Sequence, residues 1–385
     1  MARAATQWRW TGDPVRTLQS RMGVGGKIVR RSMKAMLEKF NDSRALIGEG
    51  NTPLVRSTSI AGDAPLFFKM EQLNPTGSFK DRFAAVETEL MKQNGIRAFI
   101  ATSSGNTGAA LSAYAARLGL RCFLFVNEVT PASKLQQMLV YGAEVYRVRG
   151  FGVTKELSAP IFERLQQLAV DGKTRLVISA YKYSPLGMDG VKAIAYEIVE
   201  QFGGVPDHVF VPVGGGGLLS GIWRGFRDLK DRNLTKKLPK IVAVQPELND
   251  TVVTSINART GTAQEVSTTT TISGLAVQVD IDASLAVNSV EQSGGFGVLV
   301  SDEFVLETQS SLARNEGVYV EPAGAVSTAG YLRAVYSGLL KRDESAVCIL
   351  TGHGLKSAVS VGDPSTEPVE LIEIGDINVS LLEER

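Results

Sequence analysis

From residue 66 onward the chain repeats one pattern: a short apolar run, a turn of small residues, then a longer stretch with apolar positions three and four apart. The apolar runs at 66–70, 98–102, 122–126, 143–148, 176–178, 208–213, 241–245 and 346–350 have the length and side-chain shape of buried strands. Helical spacing marks 81–93 (Phe83, Val86, Leu90), 109–118, 133–141, 155–170, 191–202 and a segment through Trp223 and Phe226. Parallel neighbours in a sheet need long crossovers, and helices of this length supply them. The pattern therefore predicts an α/β chain built on parallel sheet. The turn Gly48-Glu49-Gly50-Asn51-Thr52-Pro53 opens another short strand at Leu54 and Val55, and Met33, Met36, Leu37 and Phe40 have helical spacing. Residues 251–273 are rich in Thr and Ser without periodicity and read as a loop. There is no internal repeat.

Composition narrows the function classes. The 385 residues are 44% hydrophobic and 21% charged, which is globular rather than disordered. A net charge of +1 gives no basic face for nucleic acid, and no apolar run nears the ~20 residues of a membrane span. Two histidines and two cysteines leave little for a zinc cluster. Cys122 and Cys348 lie in separate apolar runs and read as buried reduced thiols, which suits the cytoplasm. The first forty residues are basic, with only Asp13 and Glu38 as acids; this is the composition of an organellar transit peptide. Trp8-Arg9-Trp10 and Gly23-Val24-Gly25-Gly26 favour instead an ordered arm over residues 1–40.

Four turns at strand ends carry chemistry-bearing residues, and ligands in open α/β sheets bind beyond the strand C-termini. Asn74-Pro75-Thr76-Gly77-Ser78-Phe79-Lys80 places a lysine early in a helix with a hydroxyl, Ser78, at the expected cap. The positive helix end disfavours the ammonium form, and a neutral amine can attack a carbonyl; an ordinary capped surface helix would look the same. Ser103-Ser104-Gly105-Asn106-Thr107-Gly108 offers hydroxyls and backbone N–H groups suited to a carboxylate, or a plain helix cap. Gly214, Gly215, Gly216 and Gly217 follow a strand without the Walker or dinucleotide spacing; bare amides there can converge on a phosphate, or close packing can demand glycine. Thr351-Gly352-His353-Gly354-Leu355-Lys356 puts a hydroxyl where it can bond a neutral ring nitrogen. Together they make a plausible set for pyridoxal phosphate held by a lysine.

These motifs in this order, with Gly48 through Val55 and Glu321-Pro322, resemble the fold type II pyridoxal-phosphate enzymes, threonine synthases in particular. The resemblance implies two parallel-sheet domains with the cofactor in the cleft between them. It implies a large cofactor domain (1–84 and 190–362), a small mobile substrate domain (85–189), an acidic C-terminal extension (363–385) and a homodimer. Lys80 would form the Schiff base and move the α-proton. Asn106 would bond the cofactor's 3′-oxygen, Thr351 its ring nitrogen, and Gly214 to Gly217 its phosphate. Ser103, Ser104, Gly105 and Thr107 would bind the carboxylate of a small amino-acid substrate. The implied reaction is γ-elimination of phosphate from O-phosphohomoserine, then β-addition of water to give threonine. The alternative is β-replacement or β-elimination on a serine-type substrate such as O-phosphoserine or O-acetylserine, or threonine/serine dehydration. One departure bears on the choice: where threonine synthases carry an arginine before Gly-x-Lys-Thr, this chain has Gly187, and Lys182 is the nearest replacement cation for a substrate phosphate. A silent binding module on the same fold is opposed by the intact Lys80 and glycine turn.

Overall fold

The computed structural model describes residues 47–356 except 153, 173, 278 and 279. The arm, the helical spacing at residues 33–40 and the acidic extension lie outside the described residues.

Two sheets organise the chain. The first holds β1 (Leu54–Arg56), β2 (Leu66–Lys69), β7 (His208–Pro212), β8 (Lys240–Pro246), β9 (Phe296–Val300) and β10 (Ala346–Ile349), in the order β1-β2-β10-β7-β8-β9. Only β1 pairs antiparallel. The second is wholly parallel, in the order β5-β4-β3-β6, from β3 (Ala98–Ala101), β4 (Arg121–Asn127), β5 (Glu144–Val148) and β6 (Arg175–Val177). Helices α1 (Lys80–Gln93), α2 (Asn106–Leu118), α3 (Ala132–Val140) and α4 (Lys155–Asp171) supply the connections before β6. After it come α5 (Pro185–Met188), α6 (Ala193–Phe202) and α7 (Gly217–Asp231). The molecule is α/β with two parallel sheets flanked by helices.

Successive residues of a strand face opposite ways, so a strand covered on both sides divides between two cores. Val209 and Val211 of β7 pack in one cluster with Ile241, Ala243, Val347 and Ile349, while Phe210 packs in another with Val242, Val244 and Cys348. The first cluster also takes Phe83, Met91 and Tyr114, so it joins the first sheet to helices of the second. All of these are buried, both cysteines included.

The expected loop at 251–273 contains a short helix, α8 (Val253–Ala258). Its start is capped from a distance: Gln245 Oε1 accepts the N–H groups of Val252 and Val253 at 2.8 and 3.0 Å. No local spacing announces such a cap. The chain then adds α9 (Ala283–Ser293), β9, α10 (Asp302–Glu316) and α11 (Pro322–Tyr336).

Candidate active site

The turn before α1 is built into the first sheet's end. Phe79 N–H donates to Thr351 O (3.0 Å), His353 N–H to Gly77 O (2.9 Å) and Glu321 N–H to Gly352 O (2.9 Å). Lys80, Thr351 and Glu321 therefore sit in one hydrogen-bonded frame. The helix cap differs from expectation. Phe79 is the capping position, and Ser78 Oγ lies 3.4 Å from the Lys80 N–H. Asp81 closes the turn instead, its carboxylate accepting the Thr76 N–H (2.7 Å) and the Thr76 hydroxyl. Arg82 reaches into the core, donating to both oxygens of Glu71 and of Glu197 at 2.7 Å each.

Lys80, Ser103, Ser104, Gly105, Asn106, Thr107, Gly214 to Gly217 and Thr351 all line one cleft of about 1260 Å³. The helix after β3 begins at Asn106, three residues earlier than the spacing indicated, so Asn106 and Thr107 stand in its first turn. Asn106 Nδ2 donates to both Glu321 oxygens, at 2.9 and 3.1 Å. Lys182 is not in the lining: it is exposed, with its Nζ 5.8 Å from the Tyr183 ring centre. Its main-chain N–H holds Asp282 instead. Gly187 is buried, and a side chain there would strike the Glu87 carboxylate and lie 2.9 Å from the Phe83 ring. The run expected to bear a phosphate-binding cation is packed against α1.

Burial is the main cause that lowers the Lys80 amine from 10.5 to about 8, while the Asp282 and Glu321 carboxylates push it back up. The expected cause was the helix end; the cause that lowers the amine here is burial. Lys80 Nζ donates to Ser179 Oγ at 2.7 Å, and Ser179 Oγ lies 2.9 Å from Thr107 Oγ1. Ser179, Asp282, Lys134 and Gln137 also line the cleft and escaped the sequence reading. Ser179 had a signal: it follows an apolar strand, as the four recognised turns do. Helix α3 crosses to the first sheet's loops through Lys134 Nζ to Ser273 Oγ (2.8 Å) and Gln137 Nε2 to Thr76 O (3.1 Å). Lys356 Nζ joins there, donating to Thr76 O at 2.7 Å and to Gln137 at 2.5 Å.

The glycine turn fits a phosphate. Gly216 has φ +93°, and a Cβ on it would run into the Asp282 carbonyl, so the neighbouring loop presses on its back. The turn lines the cleft where α7 begins without a side-chain cap, and a helix start of that kind offers its first N–H groups to an anion. An amine lowered by burial to about 8, a glycine turn at a helix start and a hydroxyl loop in one cleft fit the donor set that pyridoxal phosphate needs.

Residues 45–352 match the family described as "Pyridoxal-phosphate dependent enzyme". The chain belongs to that family.

Among its relatives, the threonine synthase of Methanocaldococcus jannaschii is 36% identical over 329 residues, 84% of this chain and 79% of that protein. The threonine synthase of Mycobacterium tuberculosis is 33% identical over 338 residues, 84% and 89% of the two chains. Among solved structures, threonine deaminase isoform 2 from Solanum lycopersicum superposes with a TM-score of 0.69 at 21% identity, covering 84% of this chain and 85% of that one. The serine racemase of Dictyostelium discoideum gives a TM-score of 0.65 at 25% identity, covering 79% and 92%. This pyridoxal-phosphate enzyme is a lyase of the threonine-synthase-like type with the fold type II architecture, and its cofactor is pyridoxal 5′-phosphate. Among the described residues no helix is long and apolar enough to cross a membrane, and no group of three or more candidate metal ligands occurs.

Proposed function

We propose that the enzyme is a threonine synthase that converts O-phosphohomoserine and water into threonine and phosphate. The bond from Cγ to oxygen breaks and phosphate leaves with the electron pair; Cβ gives up one proton and takes hydroxyl from water, Cγ takes a proton to become the methyl group, and the remaining proton of the water goes to the phosphate. The observation that carries this reading is Lys80: a buried amine, lowered by burial to about 8, at the meeting point of the strand-end loops, in a chain whose relatives at 33–36% identity are threonine synthases.

Bound pyridoxal phosphate supplies an electron sink for the substrate's carbon centres. Lys80 Nζ would hold it and would take and return protons at the substrate carbons. Gly214 to Gly217 hold its phosphate, Asn106 its 3′-oxygen side and Thr351 its ring nitrogen. Ser103, Ser104, Gly105 and Thr107 take the substrate carboxylate. Lys134 and Lys356, both in the cleft lining, are the cations available to the substrate's phosphate, since Lys182 faces solvent. We also propose that residues 85–189 move as a unit to exclude water, with α3 making the contacts across the cleft, and that the enzyme is a homodimer in the cytoplasm.

The packed Gly187 favours a second reading, β-elimination or β-replacement on a serine-type substrate, because it leaves no arginine for a second phosphate. A panel of O-phosphohomoserine, O-phosphoserine, O-acetylserine and threonine separates the two. Phosphate release and threonine formation from O-phosphohomoserine are expected. No change in visible absorbance at saturating O-phosphohomoserine, with product from a serine ester, would hand the site to the second reading.

A further inference from the structure

Ser179 occupies a place that no motif assigns. It stands just past the end of β6, where the second sheet opens into the cleft, and its hydroxyl bridges two groups from different elements: Lys80 Nζ at 2.7 Å and Thr107 Oγ1 at 2.9 Å. The segment that carries it is pinned on its far side. Asp282, 1% exposed, accepts the N–H of Tyr181 at 2.6 Å and of Lys182 at 3.0 Å, and donates its own N–H to Gly215 O at 2.9 Å. The hydroxyl is thereby set in register with both the lysine and the glycine turn.

We propose that Ser179 positions the reactive amine of Lys80, aiming Nζ across the cleft through a hydroxyl chain that runs Lys80–Ser179–Thr107. The residue type suits the task. A hydroxyl accepts from an ammonium and donates to the lone pair of a neutral amine, so it holds Nζ in both protonation states. A carboxylate at the same distance would fix the ammonium and undo what burial achieves. Asp282 and Glu321 already act in that opposing sense on Lys80. The chain also ties the lysine to the loop read as the carboxylate site, so a substrate carboxylate that engages Thr107 leaves Ser179 to Lys80 alone.

The inference rests on Lys80 being the cofactor-bearing amine, and it is independent of which substrate the enzyme takes. Its test therefore reads the amine itself. Apo protein is mixed with pyridoxal phosphate, and the growth of visible absorbance is timed for wild type, Ser179→Ala, Ser179→Thr and Lys80→Ala. In the same apo proteins the pH midpoint of Lys80 modification by an amine-specific reagent is read by mass spectrometry. Ser179→Ala should slow cofactor capture by about tenfold, the scale of one lost hydrogen bond to a charged group, and shift the labelling midpoint downward. Ser179→Thr should stay within about threefold of wild type, since it keeps the hydroxyl. Wild-type behaviour of Ser179→Ala overturns the proposal. So does a Ser179→Thr variant as slow as the alanine one, because shape and not the hydroxyl would then matter. Should Ser179→Ala not fold, Thr107→Val cuts the other end of the chain; a capture rate equal to wild type there also overturns it. Absorbance that survives Lys80→Ala would instead remove the lysine assignment itself.

Discussion

In the proposed reaction a single amine carries most of the chemistry, and its environment makes a pH statement. Burial holds the folded amine of Lys80 near 8 against 10.5 for an ordinary lysine. Between those values the unfolded chain binds more protons, so this group adds stability to the apo protein as pH rises. Below pH 8 the folded protein carries a disfavoured charge. Lys80→Met should therefore raise the apo melting temperature at pH 7, with the gain shrinking by pH 10; thermal scans at the two pH values check it. An equal gain at both would mean that the titration of the amine plays no part. The neighbouring Asp81 shows the same force with opposite sign: burial pushes its carboxyl up to about 7, although two bonds from Thr76 pull the other way.

At the scale of elements, the short helix α5 decides what the departure at Gly187 means. It lies against α1, and Gly187 is the contact point with Phe83 and Glu87. Glu87 is buried there, its carboxyl pushed up by desolvation while Arg175, 3.3 Å away, pulls it down. Restoring the arginine that the resemblance implies cannot rebuild a phosphate site in this packing. Gly187→Arg should lower stability by about 1–3 kcal/mol through overpacking, with no improvement in the KM for a phosphorylated substrate. Urea titration and steady-state kinetics measure the two, and a stable variant with a lower KM would contradict the packing argument. The role of α3 is the converse case. Its polar residues Lys134 and Gln137 are where the second sheet's layer bonds to the first sheet's loops.

At the scale of the whole molecule, a buried ionic network ties segments far apart in the chain to the lysine helix. Lys69 on β2, Glu71 after it, Arg82 on α1 and Glu197 on α6 are nearly inaccessible, and Lys69 Nζ also donates to Thr52 O at 2.6 Å. Arg82 holds the Glu197 carboxyl well below its usual range, against the cost of burial. That stabilisation is present above the ordinary carboxylate value of 4.5 and is lost as pH falls through the lower folded value. Arg82→Met takes the ion-pair partner from the buried Glu71 carboxylate and leaves Glu197 with Lys69 alone, and should cost about 3–5 kcal/mol. Equilibrium unfolding of the apo protein at pH 7 reads this; a loss below ~1 kcal/mol, the level of exposed ion pairs, would show that the network is not closed in solution.

The strands and most helices were legible because period and burial are local properties: β7 reads as a strand from its own apolar run, and α1 from Phe83, Val86 and Leu90. The same holds for the residues that strand-end turns deliver to the cleft, Lys80 and Gly214 to Gly217 among them. What escaped depends on partners far away in sequence. Gln245 caps α8, Asp81 rather than Ser78 closes the turn before α1, and Gly187 is a packing residue. Lys182 lies close to the cleft in sequence yet faces solvent, and Ser179 meets Lys80 across 99 residues. The sequence by itself determined that a lysine, a glycine turn and two hydroxyl loops would stand at strand ends. Only the tertiary structure decided how far the amine of that lysine is lowered, because desolvation is the work of everything packed around an atom and no local pattern records it.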